Sequence, residues 1–73
     1  MLKRIGDRWF LELMKTSGGT VRIEVDQIAV LNDDGPTCGI VTKSGFIAAV
    51  KLDADAVWAL MEKAVPTARQ LND

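Results

Sequence analysis

The apolar residues of this chain change their period once. Up to Val50 they recur at every second position, in short runs separated by turn residues; after Asp53 they recur at helical spacing. A period of two gives a strand one apolar face, and a period of 3.6 gives a helix one apolar stripe. The order of the two periods therefore calls for several short strands followed by a single helix.

Five runs fit strands. Arg8–Lys15 sets Trp9, Leu11 and Leu13 on one row and Phe10, Glu12 and Met14 on the other. Ser17-Gly18-Gly19-Thr20 supplies the positive-φ positions of a tight hairpin, and Val21, Ile23 and Val25 then alternate with Arg22 and Glu24. Ile28–Leu31 is nearly continuous in apolar character, with Ile28 and Val30 on one side and Ala29 and Leu31 on the other. The turn Asn32-Asp33-Asp34-Gly35-Pro36 leads to Thr37–Thr42, in which Gly39 marks a bulge or a close backbone approach. Lys43-Ser44-Gly45 turns into Phe46–Val50, with Phe46, Ala48 and Val50 on one row and Ile47 and Ala49 on the other.

Asp53 has the chemistry of an N-cap, Asp55 places negative charge at the positive end of the helix dipole, and Leu52 and Val57 are spaced as a hydrophobic staple. Val57, Leu60, Met61 and Ala64 form the buried stripe, and Pro66 stops or kinks the helix. The fold expected is α+β and mainly β: an antiparallel five-strand β-meander or small barrel followed by one C-terminal helix. It forms one domain, with a leader at 1–7, strands over 8–50, a helix over 53–65 and a frayed tail over 66–73 in which Leu71 touches the body.

Composition decides how such a small body is held together. A core built from 73 residues supplies roughly 3–5 kcal/mol, so proteins of this size draw on disulfides, metals or partners. Cys38 is the only cysteine and cannot form an internal disulfide, and without any histidine the thiolate and imidazole ligands of a zinc site are missing. Association with another molecule is what remains. The 48% hydrophobic and 26% charged content places the chain among globular sequences.

The same inventory argues against catalysis. Cys38 has no histidine to deprotonate it, no serine can be activated in that way, and no metal or other cofactor is expected. Asp33-Asp34 reads as turn chemistry rather than a cation site, and Gly18-Gly19 lies between strands rather than before a helix that would bind phosphate. No apolar run approaches the roughly 20 residues that cross a bilayer, and the N-terminus lacks the apolar core of a signal peptide. With its unpaired cysteine the chain is expected to be soluble and cytoplasmic.

The run from Trp9 to Ala64 resembles the small flagellar FlbD-like proteins. The residues that carry the likeness are a short apolar strand, a glycine turn, a second strand entering Val25-Asp26-Gln27-Ile28, a hairpin closed by Ser44-Gly45, and Val50-Lys51 leading into a capped amphipathic helix. The resemblance implies a compact β-rich fold that works by contact with other macromolecules and carries no catalytic site.

One helix covers one face of a sheet, yet both rows of several strands are apolar. Phe10, Met14, Leu31, Val41 and Ile47 are expected on the uncovered face, and Trp58, offset from the helix stripe, either joins them or packs over a sheet edge. Closure into a barrel, pairing with another copy, or a patch kept for a different protein would each accommodate that surplus. The expected function is a non-enzymatic interaction, assembly or regulatory module that self-associates. One alternative is a nucleic-acid-binding small barrel using Lys3, Arg4, Arg8, Arg22 and Lys43, although 9 basic against 10 acidic residues create no global field toward phosphate. Another is an oligomer that sequesters a small molecule between its subunits.

Overall fold

A computed structural model describes the backbone of residues 1–72 and the side chains of residues 1–64. The chain is mainly β and ends in one helix. Its strands are β1 (Leu2–Ile5), β2 (Arg8–Met14), β3 (Thr20–Glu24), β4 (Ile28–Asp34), β5 (Thr37–Thr42) and β6 (Ile47–Val50), and its helix is α1 (Ala54–Asn72). A single 3-10 turn, Val25–Gln27, separates β3 from β4.

The strands form two antiparallel sheets, in the orders β1-β2-β3 and β4-β5-β6, where the sequence suggests one five-strand meander. The additional strand is β1, which occupies the segment expected to be a leader. The two-residue turn Gly6-Asp7, with Gly6 at φ 63°, folds β1 back on β2 and sets Leu2 opposite Leu11 and Arg4 opposite Trp9. With Lys3 and Arg4 between Leu2 and Ile5, four residues are too few to show alternation, and the Gly-Asp turn is the local signal of this strand.

The sheets are stitched where β2 runs past the end of β1. Lys15 bridges Val50, the Thr16 N–H donates to the Ala49 carbonyl at 2.9 Å, and the Lys51 N–H donates to the Met14 carbonyl at 2.9 Å. Just beyond the Ile28–Thr42 pair the Lys43 N–H donates to the Gln27 carbonyl at 2.8 Å, extending the β4-β5 ladder. Between the sheets lie Leu11, Leu13, Ile23 and Val25 from one side and Cys38, Ile40, Ala48 and Val50 from the other. The inward rows of β2 and β3 are those the alternation indicates.

Two strands differ from the sequence reading. β4 continues through Asn32–Asp34, so that its turn shrinks to Gly35-Pro36, with Gly35 at φ 79° where a side chain would be strained. The bulge lies in β4, where the register shifts between Ile28 and Val30, and Gly39 is instead a place where the Asn32 side chain lies over the backbone. One extra residue reverses the parity of everything after it. Leu31 therefore packs toward the core with Ile28, which corrects its placement on the uncovered face, while Val30 turns outward. β6 begins at Ile47, leaving Phe46 in the turn and half exposed.

α1 covers the open side of the sheets with the expected stripe. Val57 and Ala64 are buried, and Leu60, Met61 and the pre-helical Leu52 pack against the core. Asp53 caps the helix, its Oδ1 accepting the Ala56 N–H at 2.8 Å. The helical backbone continues beyond Pro66, whose missing N–H removes one intrahelical hydrogen bond. The expected contact of the Leu71 side chain lies outside the described residues.

Candidate functional site

The surface carries two contrasting faces. On the outer face of β1-β2-β3, cross-strand pairing brings opposite charges together. Glu12 accepts from Arg22 Nε at 2.7 Å and lies 3.3 Å from Lys3 Nζ, so one carboxylate joins cations from both neighbouring strands. Arg8 forms a bidentate pair with Glu24, at 2.8 and 2.7 Å, and its guanidinium lies 5.4 Å from the Phe10 ring centre.

These contacts shift the titrating groups in the directions expected. The Arg22 hydrogen bond, helped by Lys3, holds the Glu12 carboxyl below the usual range, and Arg8 does the same for Glu24. Arg4 has no carboxylate within ion-pair distance among the described residues; it donates to the Gly6 carbonyl at 2.6 Å and lies over Trp9.

Lys3, Arg8 and Arg22, offered by the sequence as phosphate contacts, are thus grouped on one sheet but already matched to carboxylates. Lys43 stands away from them, in the turn between β5 and β6. Phe10 is half-buried beneath this ionic layer.

The outer face of β4-β5-β6 is different. Val30 opposes Val41, and Val41 opposes Ile47, making an apolar row across all three strands. Val30 is 46% and Ile47 69% exposed. Around the β4 edge the row reaches a groove of about 350 Å³ between that strand and α1, lined by Val30, Leu31, Asp55, Trp58 and Met61. Trp58 stands 57% exposed on its wall. Met14, also more than half exposed, lies on the outer side of β2 near the seam with β6.

Of the residues singled out from sequence, Val41, Ile47 and Trp58 therefore fall on one continuous region, Met14 stands near it, Phe10 belongs to the charged face, and Leu31 contributes from the core side. Val30 is the member that the sequence reading missed, because the bulge that turns it outward leaves no mark in the alternation.

Chemistry at single residues is sparse. Cys38 is fully buried, and burial, with Asp34 and Asp33 nearby, pushes its thiol up and away from the reactive thiolate. Asp33 Oδ1 accepts the Gly35 N–H at 3.1 Å, as an Asx turn requires. Among the described residues no helix is long and apolar enough to cross a membrane. Comparison with family models, curated proteins and solved structures returns no match.

Proposed function

We propose that this protein is a non-enzymatic interaction module that self-associates through the β4 side of the molecule: the row Val30, Val41, Ile47 and the adjoining Trp58 groove. The observation that carries this reading is the exposure of Val30, Ile47 and Trp58 on one side of a chain too small to leave so much apolar surface in water without a use. Aromatic and branched side chains in a concave patch are the usual anchors of protein contacts. The likeness of Trp9–Ala64 to FlbD-like proteins, which implies action by contact, supports the same reading, as does the lack of a histidine or an accessible thiol.

A cytoplasmic setting belongs to the proposal and is supported by the unpaired, buried Cys38. The nucleic-acid alternative has weaker support, since Lys3, Arg8 and Arg22 are paired with carboxylates. Sequestration of a ligand by the groove has no polar cluster to give it specificity beyond Asp55. Sedimentation velocity over a concentration series tests the proposal. Wild-type protein is expected to show a rising weight-average mass, and Trp58→Ala to shift the curve to higher concentration. A constant monomer mass with a folded spectrum would refute the reading.

A further inference from the structure

Resting on that self-association reading, we infer that copies join head to tail, the free edge of β1 in one molecule adding antiparallel to the free edge of β4 in the next. Each three-stranded sheet has two edges, and a strand edge presents unpaired N–H and C=O groups that template another strand. Two of the four are occupied or neutral. β6 is bridged to β2 through Lys15 and Val50, and β3 carries Arg22 and Glu24, both already paired across their own sheet. The remaining edges, β1 and β4, carry opposite charges.

Along β4 the apolar end is Val30-Leu31 and the acidic end is Asp33-Asp34, neither aspartate having a cation within salt-bridge distance among the described residues. Along β1 the exposed residues are Lys3, Arg4 and then Ile5, which is 69% exposed. Antiparallel polarity with Ile5 opposite Leu31 sets Lys3 opposite Asp33 and leaves Arg4, opposite Asn32, diagonal to Asp34. Parallel polarity sets Ile5 against the acids and fails on both counts. β4 against β4 in antiparallel pairing sets the Asp33-Asp34 end of each strand against the Val30-Leu31 end of the other, and β1 against β1 gathers four cations, so each edge matches the other better than its own kind.

The Trp58 groove lies beside the β4 edge and would receive the incoming apolar side chain. Lys3 can leave Glu12 at little cost, because Glu12 keeps its shorter contact to Arg22 and exposed pairs contribute little. Contact between two different surfaces propagates into a ring or a filament rather than closing as a twofold dimer.

Charge reversal in full-length protein tests the inference. Lys3→Glu/Arg4→Glu and Asp33→Lys/Asp34→Lys are each expected to associate about tenfold or more weakly than wild type. An equimolar mixture of the two should regain association, since each then presents the edge the other lacks, and raised salt should weaken wild type and mixture alike. Circular dichroism establishes that each variant is folded. Should the β1 double reversal disturb the fold, Lys3→Gln/Arg4→Gln keeps the β1 arm, with the same expected weakening. Asp34→Lys alone, which spares the Asp33 turn contact, likewise replaces the β4 variant. If wild type associates while folded variants associate equally well, or if the mixture stays monomeric, edge pairing is wrong although self-association stands. If wild type stays monomeric up to high micromolar concentration, both fall.

Discussion

At the scale of single residues the molecule divides into side chains that settle charge and side chains that settle packing. Glu12 and Glu24 have folded-state pKa values lowered by their arginine partners, so each favours the folded state when ionised. That contribution is complete above the unfolded glutamate value of about 4.3 and is lost as pH falls through the lower folded values. Thermal melts should therefore drop on the acid side below that point, and Glu12→Gln should flatten part of the drop while leaving neutral-pH packing intact. Both carboxylates are half-buried and their basic partners are exposed, so solvent screens the pairs and the change is modest.

Cys38 behaves oppositely. Its thiol is held up by burial and should react with a thiol reagent only as fast as the protein opens, then at once in denaturant. Ile40, fully buried between the sheets, carries a larger share of the stability: Ile40→Ala should cost about 2–5 kcal/mol, comparable to the whole stability of a domain this small, as read by urea unfolding.

At the scale of elements, local chemistry fixes most boundaries. Asp53→Ala should cost about 1 kcal/mol by removing the acceptor of the Ala56 N–H, measurable as a lower denaturation midpoint with an unchanged slope. The cap, the buried stripe of α1 and the inward rows of β2 and β3 were all legible in the sequence, because each depends on residues within one element. β1 was not, since four residues cannot display a period, although Gly6-Asp7 announces its hairpin.

β4 was legible as a strand but not as a surface. The extra residue between Ile28 and Val30 exchanges the faces of Val30 and Leu31, and nothing in Ile28-Ala29-Val30-Leu31 distinguishes a bulged path from a straight one. The candidate site inherits that limit. Ile47 and Trp58 were found because their elements are regular; Val30 was found only from the register.

At the scale of the whole molecule, pairing between distant strands decides what sequence patterning leaves open. The alternation implies more apolar strand surface than one helix covers, and the two sheets absorb only part of it. One sheet spreads a layer of ion pairs over Phe10, whereas the other leaves Val30, Val41 and Ile47 beside Trp58 with no such cover. That asymmetry, set by where Glu12, Arg22 and Glu24 fall on their strands, separates a face covered by ion pairs from a face of exposed apolar side chains, the one proposed above to meet a partner.

A nitrogen-15 correlation spectrum followed over serial dilution tests this most directly. Concentration-dependent shifts are expected at the Val30–Asp34 amides and the Trp58 indole, with Val21–Ile23 unmoved. A spectrum unchanged across the series, or one whose shifts fall on β3 and spare β4 and Trp58, would contradict the account.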